Sequence, residues 1–412
     1  MSIKDSRYKI ILLNQVTGPL FRELSEDFAK DLGATLLVTG RQDTEFSPGN
    51  NTLTVITGAG YDRRSNAKRL ISWLRYFFKA LSVTWKCHSR PLLFIVSNPP
   101  FLGLIGFLFK IVRNQKYVVL VYDIYPDVLL RIGTLSNGLI ARFWRFINRL
   151  ILQHADIVFT ISRDMADCLE QNYDLDGTAA ESVVVIPNWA DIETIKPMVK
   201  SENWFAVRHQ QVDKVTVLYS GNMGNTHDVE SILAVARRLR ENDGIHFLFI
   251  GEGIKSALVR RARNEEGLEN ITYLPLQAED VLPYSLTTGD IGIVSYQSGT
   301  EGCLVPSKVY TYMAAGLAPL VICGAENDLS RTILENSCGV VVTNGIIDDI
   351  VEAVQRLSRD YALLAEMKQR SRLMAVQYFS RNNTRQYIEA IKSFNGDRNS
   401  ISSPHSEINR KK

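Results

Sequence analysis

From residue 215 onward the chain alternates short β-rich apolar runs with helix-length segments, and no other feature of the sequence restricts its fold as much. The runs "VTVLYSG", "HFLFIGEG", "ITYLP", "DIGIVSY", "PLVICG" and "GVVVT" are separated by stretches such as "DVESILAVARRLREN" and "DDIVEAVQRLSRDY". Strand and helix in strict alternation require right-handed crossovers, which build a parallel, doubly wound sheet. The first half repeats the pattern with "KIILLN", "ATLLVTG", "LTVIT", "LLFIVSN", "YVVLVYD", "DIVFTIS" and "VVVIP". Two Rossmann-like sheets in series are predicted. A length of 412 residues agrees, since one core rarely grows past about 250 residues. The predicted domains span 1–190 and 198–375, joined by "PNWADIETIKP", where Pro187 and Pro197 bracket polar residues. A last helix is predicted over 376–394. The polar tail 395–412 lacks the apolar residues to fold and is expected to be disordered.

Composition excludes several classes. With 45% hydrophobic and 22% charged residues the chain is globular, and a mean hydropathy near zero excludes a polytopic membrane protein. The longest apolar stretch, "FLGLIGFLFKIV" from Phe101, is broken by Lys110 and is shorter than the roughly 20 residues a spanning helix needs. The N-terminal "MSIKDSRYKIILLNQV" contains no secretory h-region, so a cytoplasmic protein is expected. Cys87, Cys168, Cys303, Cys323 and Cys338 are odd in number and widely spaced, which suits reduced core thiols rather than bridges or a metal site.

The net charge of +3 conceals an uneven distribution. Between Asp62 and Asp123 there is no acidic residue, while the same window holds eleven Lys and Arg interleaved with aromatic side chains such as Trp73, Phe78 and Trp85. Basic, aromatic, acid-free helices are attracted to an anionic leaflet, each cation contributing about 1 kcal/mol near the surface. The two helix-like pieces "SNAKRLISWLRYFFKALSVTWK" and "PPFLGLIGFLFKIVRNQK" are therefore read as a membrane face, with Arg69, Arg75, Lys79 and Lys86 among its cations. The alternative is that the aromatics are simply the inner faces of two ordinary helices. No recognition motif for nucleic acid accompanies the cations, and no nucleic-acid partner is expected.

In doubly wound sheets ligands bind beyond the carboxyl ends of the strands, and the candidate site residues follow from that rule. "LYSGNMGNTHDVESIL" runs from a strand into Gly221 and Gly224, and "IGEGIKSAL" does the same with Gly251 and Gly253. Such turns let backbone approach a phosphate. They lack the third glycine of a dinucleotide fingerprint, so no nicotinamide or flavin cofactor is expected. "SGTEGCLVPSKVYTYMAAG" reads as a strand exit, a glycine turn and a helix, with Glu301 in the turn and Lys308 at the helix start.

In their order, these segments resemble the retaining glycosyltransferases of family 4. The glycine loop, "FLFIGEG", "YLPLQAEDVLPYSLTTGDIGIVSY" and the Glu-Gly turn leading through "PSK" to "MAAG" carry the resemblance in the second half. In the first half "VSNPPF", "YDIYPDVLLRIG", "ADIVFTISRDMADCL" and "VVVIPNWAD" are similar to the branch that builds bacterial surface polysaccharides. The resemblance implies the GT-B fold, with a nucleotide-sugar donor in the second domain, a glycan or lipid-linked acceptor in the first, and a last helix that returns to the first domain. It implies that Glu301 holds donor-sugar hydroxyls and that Lys308, with Gly221 and the backbone of Gly302, Cys303 and Leu304, meets the diphosphate; where the family has an Arg and a Lys after the glycine loop this chain offers Asn222 and His227, and His227 either binds phosphate or is an exposed loop histidine. Gly251, Glu252, Leu276 and Thr311 would line the nucleoside, and Asp123 would face the cleft from the acceptor domain, unless it caps the helix of "PDVLL". No metal is required, because backbone and a cation can stabilise the departing diphosphate.

Two departures from the family pattern stand out. The second glutamate expected eight residues after Glu301 is Val309, and Thr311 or Tyr310 is offered in its place. The loop arginine is also missing. A sugar-nucleotide 2-epimerase and a non-catalytic membrane-bound partner of a glycan assembly complex therefore remain alternatives to a transferase.

Overall fold

A computed structural model describes residues 8–40, 52–62, 65–175 and 183–396. Residues 1–7 of the stretch read for a leader, and the predicted tail from residue 397 on, lie outside the described residues.

The first sheet comprises β1 (Ile10–Leu13), β2 (Thr35–Thr39), β3 (Leu53–Thr57), β4 (Leu92–Val96), β5 (Tyr117–Val121), β6 (Ile157–Thr160) and β7 (Val183–Val185). The second comprises β8 (Val215–Ser220), β9 (Ile245–Ile250), β10 (Ile271–Leu274), β11 (Ile291–Ser295), β12 (Ala318–Cys323) and β13 (Val340–Thr343). Each strand falls within its predicted segment, except that β9 and β12 begin one residue earlier, at Ile245 and Ala318. The spatial orders are β3-β2-β1-β4-β5-β6-β7 and β10-β9-β8-β11-β12-β13, and the paired strands are parallel. Order reverses between β1 and β4 and between β8 and β11, so each sheet opens its crevice there.

The helices of the first domain are α1 (Pro19–Asp31), α2 (Asn66–Trp85), α3 (Leu104–Arg113), α4 (Asp127–Arg131), α5 (Leu139–Gln153) and α6 (Arg163–Tyr173). After them come α7 (Trp204–Arg208), α8 (Val229–Arg238), α9 (Ser256–Asn264), α10 (Leu282–Thr287), α11 (Lys308–Ala314), α12 (Asp328–Glu335), α13 (Ile347–Arg359), α14 (Tyr361–Tyr378) and α15 (Asn383–Gly396). Ser65 starts α2 by accepting the Lys68 N–H at 3.2 Å, and apolar residues at helical spacing, Tyr76, Ala80 and Val83, bury its inner face. α2, α3, α5 and α6 share one core against the first sheet. α1 covers the opposite face together with α15, whose Tyr387 meets Phe94 and Phe159 in ring contact.

The last helix thus packs on the first domain, but it begins later than predicted. Residue 376 lies inside α14, and the break comes at 379–382, where Arg381 pairs with Asp27 at 2.8 Å and Thr384 donates to Asp27 at 2.7 Å. Docking on α1 ends one helix and orients the next. Arg372 of α14 donates to the carbonyls of Ile192, Ile195 and Ala314, which fastens the connector against the second domain.

Candidate functional site

The two glycine turns lie edge to edge. Gly221 (φ +124°) and Gly251 (φ +134°) adopt backbone that side chains rarely tolerate, and a Cβ on Gly251 would lie 2.0 Å from the Gly221 carbonyl oxygen. A Cβ on Gly253 would likewise lie only 2.5 Å from the Met223 carbonyl oxygen. Backbone packing alone therefore accounts for Gly251, whatever a ligand adds. The Gly221 N–H is engaged by the Ile250 carbonyl at 2.8 Å, so the phosphate role expected of it does not extend to that donor. Asn222 follows it on the exposed rim.

Glu301 is not a solvated turn residue. It is 8% exposed, and its Oε1 accepts the Gly324 N–H beyond β12. Gly324 has no room for a side chain there, since a Cβ would meet Ser298 Oγ at 2.8 Å and Glu301 Oε1 at 3.2 Å. The acceptor domain holds the same turn from the other side. Arg131 Nη1 donates to the Glu301 carbonyl at 2.6 Å and to the Gly299 carbonyl at 3.3 Å; the Ile124 N–H donates to Cys303 O at 2.9 Å, and Asp123 bridges Leu304. Asp164 of α6 accepts from Arg331 of α12 at 2.6 Å. The turn carrying Glu301 is thus clamped between both domains. Gly324 and Arg131 escaped the sequence reading although both stand in quoted segments, "PLVICG" and "YDIYPDVLLRIG"; a glycine ending a strand was the only signal for the first.

Within that turn the predicted donors differ. The Cys303 N–H is used by the Thr300 carbonyl at 3.1 Å, and its thiol lies 3.9 Å from Cys168 across the cleft. Cys303 therefore does not serve phosphate. No hydrogen bond among the described residues occupies the Gly302 or Leu304 N–H, and Gly302 has φ +74°. All five cysteines are free and buried, as expected.

Lys308 lies beneath the glycine turn, its Cε 3.9 Å from where a Gly221 Cβ would be. Its Nζ is shut off from solvent, has no hydrogen-bond partner and sits 3.5 Å from the centroid of the Tyr219 ring. Burial pulls its pKa well below the usual lysine value. Its three donor positions are all unused in this closed site. Lys255 is different, because His227 O, Glu230 Oε2 and Gln297 Oε1 take its three donors; it braces the loop.

His227 does not fit the phosphate role predicted for it. Burial, with the charges of Lys308 and Lys255, pushes its pKa down to about 3, so the ring is neutral at pH 7. Its Nδ1 lies 3.0 Å from the Ser295 carbonyl, which can only accept, so Nδ1 carries the proton and Nε2 presents a lone pair. A lone pair repels phosphate oxygens and suits a hydroxyl.

The nucleoside residues are less concentrated. Glu252 and Leu276 are exposed at the rim. Thr311 spends its hydroxyl on Lys308 O at 2.9 Å within α11. Val309 is fully buried, and Tyr310 is buried against Phe379 with its hydroxyl on the Asn188 backbone. Tyr310 is too buried to replace the second glutamate, and Thr311 keeps only the acceptor side of its hydroxyl. Asp123 does not cap α4, whose N-terminus has no side-chain cap; it stands half-buried in the cleft, and burial pushes its carboxyl up to about 6. Among the described residues no group of three or more His, Cys, Asp or Glu could hold a metal ion.

Of the four predicted surface cations, Arg75 and Lys79 are exposed on α2 and Lys86 just past its end. Arg69 is the exception. It is half-buried with its Nε out of solvent, and its charge reaches Tyr125 beside Asp123, so it faces the cleft. The basic face itself is larger than the window suggested. Leu70, Leu74, Phe78 and Trp85 of α2, Ile111 and Val112 of α3, and Leu139, Ile140, Phe143 and Phe146 of α5 are all exposed. These helices contain no Asp or Glu, and Asp127, which follows the window, is turned inward to Arg145 and Tyr173.

Comparison with known proteins agrees with the two-sheet fold. Residues 22–189 match the family model described as "Glycosyl transferase 4-like domain", and residues 214–360 that described as "Glycosyl transferases group 1". The chain is 29% identical over 286 residues to the putative colanic acid biosynthesis glycosyl transferase WcaI of Escherichia coli K12, covering 68% of each chain. It is 29% identical over 307 residues to the probable glycosyltransferase WbjE of Pseudomonas aeruginosa, covering 70% of this chain and 74% of the other. Anabaena HepE, crystallised with UDP and glucose, superposes with a TM-score of 0.69 at 15% identity over 94% of this chain and all of that one.

Proposed function

The chain belongs to the glycosyltransferases of the family 4 type with the two-domain GT-B fold, and from that premise we propose that it moves a sugar, with retention of anomeric configuration, from a nucleotide-sugar to a glycan or lipid-linked acceptor in cell-surface polysaccharide assembly. The observation that carries this reading is the buried, unpartnered Lys308 ammonium beneath the Gly221 turn. Negative charge grows on the diphosphate as the glycosidic bond stretches, and a preorganised cation in a closed site stabilises that charge more than it does the ground state. The free N–H groups of Gly302 and Leu304 act on the same oxygens. Glu301, oriented by Gly324, accepts from donor-sugar hydroxyls, and the lone pair on His227 accepts from another. Asp123 faces the acceptor hydroxyl.

The direct test is a screen of UDP- and GDP-sugars for thermal stabilisation, in which a true donor at a hundred times its Kd adds about 2.7 kcal/mol. The anomeric configuration of the product, read by NMR, then decides retention. Stabilisation by no nucleotide-sugar, or an inverted product, would contradict the reading. Catalysis is expected to be independent of metal, because no Asp-x-Asp cluster lies near the glycine loops. EDTA should leave the rate unchanged; loss of turnover that Mg²⁺ restores would refute this.

We further assign the basic, apolar face of α2, α3 and α5 to the anionic inner leaflet of the cell membrane, making the protein cytoplasmic and peripheral. No described helix is long and apolar enough to cross a bilayer. Replacing Arg75, Lys79, Lys86 and Arg142, an exposed cation of α5, by Gln should release the protein from anionic liposomes, more readily at high salt, since the attraction decays over about 10 Å at 0.1 M. Turnover on a water-soluble acceptor should persist. Equal sedimentation of variant and parent would remove the assignment.

A further inference from the structure

Cys168 of α6, in the first domain, meets Cys303 of the donor turn, in the second, with their Sγ atoms 3.9 Å apart. The proposed transfer uses neither thiol. Their surroundings are unequal: Asn172, one turn along α6, donates its amide to the Cys168 sulfur at 3.2 Å, and the Arg131 guanidinium lies 3.9 Å from the same atom. Donors and a cation of this kind favour the thiolate over the thiol. The hydrogen bond from the Cys303 thiol, with the charge of Arg131 and the Asn172 amide, outweighs burial and holds the Cys168 pKa below the usual thiol value, whereas the same contact and burial push Cys303 up. Access runs the same way. Cys168 keeps 8% of its surface and Cys303 none, so an oxidant arriving from solvent reaches Cys168 first.

We propose that Cys168 and Cys303 are an oxidant-sensitive pair, which hydrogen peroxide converts into a disulfide between the two domains, and that this bridge draws the donor turn away from its nucleotide. Peroxide balances the step. The Cys168 thiolate attacks one peroxide oxygen, the O–O bond breaks and hydroxide leaves with the bonding pair, giving a sulfenic acid. The Cys303 sulfur then attacks the Cys168 sulfur; the S–O bond breaks and water leaves, carrying the Cys303 proton. To bond, sulfurs 3.9 Å apart must close to about 2 Å. The turn yields more readily than the helix, because Cys168 lies inside α6 with Met165, Ala166 and Leu169 buried beside it. Cys303 stands between Gly302 and Leu304, whose N–H groups are assigned above to the diphosphate, and its own N–H and carbonyl are tied to Thr300 O and the Ile124 N–H. Moving Cys303 therefore moves both donors, and misplacement by about 1 Å can cost roughly a hundredfold in rate. Formation of the bridge stands apart from the transferase reading, while its effect on nucleotide rests on that reading.

To test this, the whole protein is treated with hydrogen peroxide at neutral pH, denatured and alkylated without reduction, and its peptides are mapped by mass spectrometry; affinity for UDP and GDP is measured by calorimetry before and after the treatment. A peptide pair joined through Cys168 and Cys303, and separated by dithiothreitol, is the expected product. With it, affinity for whichever nucleotide the reduced protein binds should fall about tenfold or more and return on reduction, since hydrogen bonds to a charged group are lost. Cys168→Ser should bind nucleotide as the reduced parent does and keep that affinity in peroxide. If this variant does not fold, the peptide map and the reversible loss of affinity in the parent decide without it. The proposal is overturned if peroxide yields no Cys168–Cys303 peptide, if Cys168 accumulates only as sulfinic acid, if the bridge forms and nucleotide affinity holds, or if Cys168→Ser loses affinity in peroxide as the parent does. A protein that binds nucleotide and forms no bridge loses the cysteine pair alone. A bridge formed in a protein that binds neither UDP nor GDP supports the pair as a site of oxidation and counts against the transferase reading instead.

Discussion

Lys308→Met should raise the melting temperature of the protein while lowering turnover by about a hundredfold or more. The two effects share one cause. The ammonium is closed off from water, makes no hydrogen bond, and has only the face of Tyr219 at 3.5 Å to offset its desolvation. Methionine fills the same volume without a charge, so the substitution removes a burial cost of at least about 1 kcal/mol. The same cation is the group proposed to meet the leaving diphosphate, and removing one transition-state contact costs about 10²–10³ in rate. The pH dependence has a definite sign. Burial depresses the folded pKa below the ordinary lysine value, so the unfolded chain binds more protons and this group's penalty is full below the depressed pKa. The penalty fades as pH rises toward about 10.4, and stability rises with pH across that window. The Met variant should lack that slope. Thermal melts of parent and variant between pH 7 and 10, together with single-turnover rates, measure both effects. A variant that is less stable, or one that keeps full activity, would overturn the assignment of Lys308.

Glu301→Gln should lower turnover by about a hundredfold or more while leaving the melting temperature nearly unchanged. Glutamine keeps the volume and one oxygen, and that oxygen can still accept the Gly324 N–H that orients the native carboxylate. What is lost is the negative charge that grips donor-sugar hydroxyls, and charge-assisted hydrogen bonds are about twice as strong as neutral ones. Because Arg131 holds the Glu301 backbone through its carbonyl, the substitution does not release the turn. The comparison to make is kcat against the Kd of the bare nucleoside diphosphate: the former should collapse and the latter should hold. Loss of nucleotide affinity in step with turnover would mean that Glu301 supports the loop rather than the sugar.

Both of these residues were legible in the sequence because they lie seven positions apart in one strand–turn–helix unit. The strands were legible for the same reason, since apolar runs bounded by glycine and proline are local signals. Partners drawn from distant segments were not. His227 read as a phosphate ligand until Ser295 O, brought from the end of β11, fixed its proton on Nδ1. Arg69 read as one more surface cation until the packing of α2 turned it to the cleft. Gly251 read as ligand-facing, yet the carbonyl of Gly221 on the neighbouring strand already requires a glycine there.

The sequence by itself determined the two parallel sheets, their right-handed crossovers and the turn that carries Glu301 and Lys308, because hydrogen-bonding periodicity and turn chemistry act over a few residues. Only the tertiary structure decided which donors remain unused, which charges are closed off from water, and which acids face away from the basic surface. Asp127 shows why: in the sequence it appears to interrupt the basic region, yet folding buries it against Arg145 and Tyr173, so that the exposed face of α5 continues that of α2 and α3. Protonation and availability depend on burial and on partners dozens to hundreds of residues away, and those exist only once both domains have packed.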